Sequence, residues 1–256
     1  MRPETVPQLI FLKIQKPDTR AECRDREDTM RIYSVAIDGP AGAGKSTIAK
    51  KAAGALRFVY IDTGAMYRAM AIYFLEHGID KNDEKTISEM CGDIDIEIKY
   101  DAGNVQRVFL EKVDVTDRLR TQEVGDTASA ISVYKDVRKT LVDLQRRLAE
   151  SQNVIMDGRD IASVVLPGAD VKIYLTAGTR VRAKRRYDEL IEKGIECDFE
   201  TILNEIEERD WRDMHRENSP LVRVPEATLI DSSEMTIDEV ADKVIELVKE
   251  EMAKDI

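Results

Sequence analysis

Gly39-Pro40-Ala41-Gly42-Ala43-Gly44-Lys45-Ser46-Thr47 satisfies G-x-x-x-x-G-K-[ST] at every fixed position, and its flanks give the match meaning. Upstream, Arg31 to Asp38 is rich in β-branched residues and reads as a buried first strand. Downstream, Ile48, Ala49, Ala52, Ala53 and Leu56 recur at helical spacing and predict a helix from Ser46 to Leu56. In a strand–turn–helix unit of this kind the glycines let successive backbone N–H groups turn inward and cradle anionic oxygens. The helix directs its positive dipole end at the same place. Lys45 adds a mobile point charge for β- and γ-phosphates, and the Ser46 hydroxyl suits Mg²⁺. The segment from Gly39 to Thr47 therefore implies a nucleoside triphosphate as ligand.

Working outward, the chain reads as an α/β protein. Phe58–Asp62, Asn153–Asp157, Val171–Leu175 and Ala227–Asp231 are further short apolar strands. Helices are expected at 65–76, through 121–150, and at 179–193, 199–214 and 236–253, the last opened by a Thr236/Glu239 capping box. Five apolar strands alternating with helices predict a parallel sheet covered on both faces. Residues 94–116 break that rhythm. Ile94, Ile96 and Ile98 alternate with Asp95, Glu97 and Lys99, and a turn and two more strand-like runs follow. This predicts a small antiparallel sheet inserted in the core. The expected division is a core of 30–90, 120–178 and 218–256, an insert at about 91–119 and a helical lid at about 179–200. Residues 1–29 read as a poorly ordered extension with no assigned function.

Bulk properties narrow the function. The 256 residues carry 39 Lys plus Arg against 50 Asp plus Glu, a net charge of −11. That argues against a nucleic-acid binder, which needs a basic surface. No apolar run approaches the ~18 residues of a membrane span, and residues 1–29 resemble neither a signal peptide nor a transit peptide. Cys23, Cys91 and Cys197 are scattered without a C-x-x-C pair, which fits a cytoplasmic protein without zinc or disulfides. The guanine-reading N-K-x-D and the D-x-x-G of GTPase switches are absent, as is the S-G-G of transport ATPases. What remains is a small kinase acting on a small acceptor.

Candidate acceptor residues lie in three segments. Asp62-Thr-Gly-Ala-Met-Tyr-Arg68 opens a helix, with Arg68 one turn in. Met156-Asp-Gly-Arg-Asp160 leaves a strand at its carboxyl end, where open α/β sheets keep their ligands. Arg209-Asp-Trp-Arg-Asp-Met-His-Arg216 spaces Arg209, Arg212 and Arg216 along one helical face, or else forms a salt-bridged exposed surface. Asp157 could serve Mg²⁺ through water or act as a structural cap.

From about residue 31 to 252 the chain resembles bacterial cytidylate (CMP/dCMP) kinases, P-loop nucleoside monophosphate kinases. The resemblance rests on I-D-G-P-A-G-A-G-K-S-T at 37–47, D-T-G-A-M-Y-R at 62–68, R-T-Q-E-V at 120–124, D-G-R-D at 157–160, V-K-I-Y-L at 171–175, E-R-D-W-R-D at 208–213 and S-P-L at 219–221. It implies transfer of the ATP γ-phosphoryl group to CMP or dCMP by a monomer using Mg²⁺. It also implies roles. Arg68, Arg159 and Arg216 match positions that hold the monophosphate, and Ser129, Arg138 and Asp160 positions that read cytosine. Asp213 with Arg209 matches the pentose contact, and Thr63 a hydroxyl of the acceptor pocket. Arg182 and Arg185 match arginines of a mobile lid. Catalysis then falls to Lys45, Arg159, Arg182 and Arg216, with Arg185 on the donor side. The run Arg180, Arg182, Lys184, Arg185 and Arg186 is expected to concentrate positive charge in that lid.

Overall fold

A computed structural model describes residues 31–103 and 105–255; the 1–29 extension lies outside the described residues. The core sheet contains β1 (Ser34–Asp38), β2 (Val59–Asp62), β6 (Val154–Gly158), β7 (Val171–Thr176) and β8 (Thr228–Asp231), all parallel, in the order β2-β6-β1-β7-β8. Alternation along the strands serves two cores. Val35, Ile37 and Ile155 face α1 (Lys45–Leu56) and α8 (Ile237–Ala253). Ala36, Val154 and Met156 face α2 (Thr63–Glu76), α4 (Gln122–Ile131) and α5 (Lys135–Ala149). Both faces are thus covered, as continuous apolar strands require.

The register matters more than the strand count. Asp62 pairs with Asp157 across β2–β6, and Asp38 with Gly158 across β1–β6. Asp62 and Asp157 therefore stand abreast at the carboxyl edge of the sheet, with Asp38 one residue further along β1.

Some boundaries depart from the sequence-based expectation. The helix expected through 121–150 is two helices, broken at Ser132–Tyr134, where the Ser132 and Val133 carbonyls accept from Arg138 and Asn218. A π-helical turn, Ile161–Val165, follows β6. It begins on the Asp38 carboxylate, which accepts the Ile161 and Ala162 N–H groups at 2.8 Å each. The expected capping box is present: Thr236 Oγ1 accepts the Glu239 N–H, and Glu239 Oε2 accepts the Thr236 N–H.

The insert is an antiparallel sheet of β3 (Ile96–Tyr100), β4 (Gln106–Leu110) and β5 (Val113–Asp114). Glu111 and Lys112 take the left-handed conformation at the β4–β5 turn, at φ 47° and 68°. Ile96, Val108 and Leu110 join the larger core, while Lys99 and Glu97 pair at 2.7 Å on the wet face. Polar side chains of the insert satisfy the exposed edge of β2. Gln106 Oε1 accepts the Asp62 N–H at 2.8 Å, and the Tyr100 hydroxyl donates to the Tyr60 carbonyl at 3.1 Å. An uncovered edge strand invites mispairing, and this latch closes it. The remaining layer is a helical hairpin, α6 (Thr179–Glu192) and α7 (Phe199–His215), packed through Ala183, Ile202, Leu203 and Ile206.

Gln106→Ala removes the Gln106 contact of the latch and leaves the Tyr100 bond. It should cost about 1–3 kcal/mol, the usual penalty for stranding a partly buried polar group. Amide exchange at Asp62 and through 96–110 should accelerate while β1 and β6 stay protected. Unchanged exchange at Asp62 would refute the latch.

Candidate active site

The phosphate loop is shaped by close approach. A Cβ at Gly39 would lie 1.9 Å from the Leu175 carbonyl oxygen, so only glycine fits against β7. Gly42 and Gly44 turn the chain at φ 73° and 84°. Ala43 is buried in the α1–α8 core, and Thr47 is exposed in the first turn of α1. Lys45 is buried and donates to the Pro40 carbonyl at 2.8 Å. Burial, and behind it the Arg159 guanidinium, pushes its ammonium down to about 7.

Asp157 organises the space behind the loop. Ser46 Oγ donates to its Oδ2 at 3.0 Å, the Tyr60 hydroxyl to its Oδ1 at 2.7 Å, and Thr63 Oγ1 to its backbone carbonyl at 2.7 Å. Burial and then the neighbouring Asp62 raise its carboxyl above the ordinary range. Burial likewise lifts Asp38 to about 6, against the pull of its two backbone donors.

Facing the loop is a set of arginines, of which Arg138, Arg159 and Arg216 are held by carboxylates or carbonyls. Asp160 is ion-paired to Arg138, and its Oδ1 lies 3.8 Å from Arg216. Arg159 Nε donates to Asp213 at 2.8 Å. Burial opposes the charge on both partners of this second pair, yet their mutual attraction prevails: Arg159 is raised and Asp213 lowered. Arg216 Nε donates to the Ser219 carbonyl at 2.7 Å. Arg209 is pushed down to about 10, first by burial and then by Arg159. Arg138 Nε, Arg209 Nε and Arg216 Nη2 are buried with no hydrogen-bond partner among the described residues. Buried donors of this kind need an acceptor. Arg68 lies over Gly64, where a Cβ would meet its guanidinium at 3.1 Å, and lines a small cleft with Lys50, Gln106 and Arg120.

The remaining expected site residues lie on α4 and α6. Ser129 is half-buried on α4; its carbonyl accepts from the hydroxyl of Ser132, one turn closer to Arg138. Arg182 is buried in the scaffold: it donates to the carbonyls of Ala177 and Ala41 and to the Thr179 hydroxyl, and faces Asp210 at 2.6 Å. Arg185 donates to the carbonyl and hydroxyl of Ser232, at the turn before α8. The positive run expected in the lid is neutralised locally: Arg180 pairs with Glu200, Lys184 with Asp188, and Arg186 with Glu189. In 209–216, Arg212 points to solvent, while Asp210 and Asp213 are buried with Arg209 and Arg216 turned inward. The face shared by three arginines is instead an alternation of buried acids and inward arginines.

Sequence reading missed Tyr60, Asp38 and Asp210. Asp38 and Tyr60 signal themselves only through strand register. Asp210 carries the weak cue of lying three residues from Asp213, on one helical face.

Two nests of buried donors, one built on the loop and one on arginines, thus share the carboxyl edge of a parallel sheet, with a carboxylate fixed at the far end. Comparison with known proteins agrees. The family model described as cytidylate kinase matches residues 35–250. A cytidylate kinase of Leuconostoc mesenteroides is 47% identical over 221 residues, covering 86% of this chain and 98% of that protein. That of Caldicellulosiruptor saccharolyticus is 50% identical over 218 residues (85% and 96%), and that of Bacillus subtilis 45% over 217 (85% and 96%). With the match running through loop, insert, arginine set and closing helix alike, the chain belongs to the cytidylate kinase family.

Proposed function

We propose that the protein transfers the γ-phosphoryl group of ATP to CMP or dCMP, giving ADP and CDP or dCDP. The observation that carries this is the pairing of Asp160 with Arg138 at the mouth of β6, flanked by the unpartnered donors of Arg209 and Arg216. A carboxylate accepts from the exocyclic amine of cytosine, and a guanidinium donates to N3 or O2. Ser129 completes the base contacts. Uracil would present a carbonyl to Asp160, acceptor against acceptor. A site built to bond a group can reject the analogue lacking it by ~10⁴.

The attacking group is a phosphate oxygen, anionic at neutral pH, so no general base is needed. Arg68, Arg159 and Arg216 orient the acceptor phosphate, Asp213 with Arg209 holds the pentose, and Thr63 closes the pocket. The loop N–H groups and Lys45 hold the donor. Catalysis is then positioning plus neutralisation of charge in a dry site. Ser46 and Asp157 are oxygen donors 3.0 Å apart, suited to a hard divalent cation. Mg²⁺ there would neutralise the β- and γ-phosphate oxygens. The insert and the α6–α7 hairpin serve as acceptor-binding region and lid, with Arg185 tying the hairpin to the turn before α8. We place the enzyme in the cytoplasm, as a monomer acting on free nucleotides; its net charge of −11 disfavours a phosphate-backbone partner such as nucleic acid. No helix of the described residues is long and apolar enough to cross a membrane.

A coupled assay across CMP, dCMP, UMP, AMP and shikimate tests the acceptor. The cytidine nucleotides should dominate kcat/KM, and UMP turned over equally well would overturn the base reading. Lys45→Ala should lower kcat by about 10²-fold or more. Lys45 also makes a pH prediction. Its pKa is lowered in the protein alone, and an adjacent polyphosphate favours the charged form. At about pH 8, nucleotide binding should therefore take up a proton, and at about pH 6, where Lys45 is already charged, it should not. Calorimetry in buffers of different ionisation enthalpy reads this directly; Lys45→Met should abolish the uptake, and buffer-independent heats at pH 8 would contradict it.

A further inference from the structure

The Pro40–Ala41 peptide at the mouth of the phosphate loop is gripped at both ends. Its carbonyl accepts from Lys45 Nζ at 2.8 Å, and its N–H donates to Asp210 Oδ1 at 3.3 Å. The next peptide is gripped as well: the Ala41 carbonyl accepts from Arg182 Nη1 at 2.9 Å. Arg182 Nη1 lies 2.6 Å from Asp210 Oδ2, which closes the ring. The other two nitrogens of Arg182 are spent on Ala177 O and Thr179 Oγ1, so its whole guanidinium is engaged within the protein. Both residues are buried, at 4% and 7% exposure. They come from α6 and α7, and α6 lies directly on the loop: a Cβ on Gly42 would stand 3.3 Å from Arg182 Cβ.

We propose that Asp210, acting with Arg182, is a positioning residue for the phosphate loop: it fixes the two peptides around Ala41 and so docks Lys45 before the donor nucleotide arrives. This role rests on the loop being the donor-nucleotide site, as proposed above. With the two peptide planes tied to an ion pair that is itself held by the lid hairpin, neither can rotate alone. A loop free to rotate there would point the Pro40 carbonyl elsewhere and release Lys45 from its resting place. Arg182 thereby serves the reaction through the loop, not as a ligand of the transferred phosphoryl group. Each partner also neutralises the other, which a buried charge beside a polyanion site requires.

The test is calorimetric binding of ADP and of CMP, each alone, to wild-type, Asp210→Ala and Asp210→Asn proteins, with melting curves to establish folding. Asp210→Ala should weaken ADP by about tenfold or more, that is about 1.4 kcal/mol, and should leave CMP within about threefold. KM for ATP should rise in parallel. Asp210→Asn keeps an oxygen for the Ala41 N–H and should recover part of the ADP affinity. If the Ala variant does not fold, the Asn variant carries the test alone, with ADP weakened severalfold and CMP unchanged. Unchanged ADP affinity in a folded variant overturns the proposal. So does an equal loss for both ligands, which would mark Asp210 as support for α7 in general, and so does an Asn variant no better than Ala. ADP binding is read without any acceptor, so failure of the CMP assignment and failure of this role are distinguishable.

Discussion

Like charges must be kept apart, and kept charged, in a site that has yet to receive its ligands. Lys45, Arg138, Arg159, Arg209 and Arg216 gather at one site, with Arg182 directly behind the loop. At about 4 Å and an effective dielectric near 20, each pair of bare unit charges would repel by roughly 4 kcal/mol. Internal carboxylates remove most of that cost: Asp160 for Arg138 and Arg216, Asp213 for Arg159, and Asp210 for Arg182. Where no carboxylate is bonded, burial and then the nearby Arg159 guanidinium push the cation down, Lys45 to about 7 and Arg209 to about 10. The rest of the architecture follows from this need. Parallel strands deliver Asp38, Asp157 and Asp160 to one edge, and one inward face of α7 delivers Asp210 and Asp213 opposite them.

This arrangement separates what was legible in the sequence from what was not. The loop was legible because its chemistry is local: glycine turn, lysine and hydroxyl are contiguous, and strand and helix periodicities flank them. The layered sheet and the antiparallel insert were legible for the same reason, since period-2 and period-3.6 patterns need no knowledge of partners. The arginine set was legible only in membership. Which acid holds which arginine depends on register and helix rotation, so Arg182 reads as a lid residue in sequence yet sits as a strut under the loop. Arg212 reads as a third inward arginine yet faces solvent. Asp38 and Tyr60 look like ordinary strand residues until pairing places Asp38 abreast of Gly158 and brings the Tyr60 hydroxyl to Asp157.

The break at Ser132–Tyr134 shows the same limit from the backbone side. Nothing in 121–150 contains proline or a glycine placed to end a helix there. The chain leaves the helix where two carbonyls find partners outside it, Ser132 with Arg138 and Val133 with Asn218. Tertiary hydrogen bonds outweigh a local propensity worth a few tenths of a kcal/mol per residue. The gain is functional: the break lets Arg138 be fixed at both ends, on Ser132 and on Asp160.

An acidic protein that binds polyanions is then no contradiction. The net charge of −11 is a property of the whole chain, while the site is a balanced set of ion pairs with a few donors to spare. An incoming phosphate exchanges with a carboxylate or meets an unpartnered N–H, so the net gain is the difference between two ion-paired states. A cluster of bare cations would hold its products as firmly as its substrates, and uniform tight binding does not raise turnover. Internal acids lower affinity for substrate and product together. Interactions of the loop and Lys45 that strengthen as charge shifts between the phosphates are left to favour the transition state.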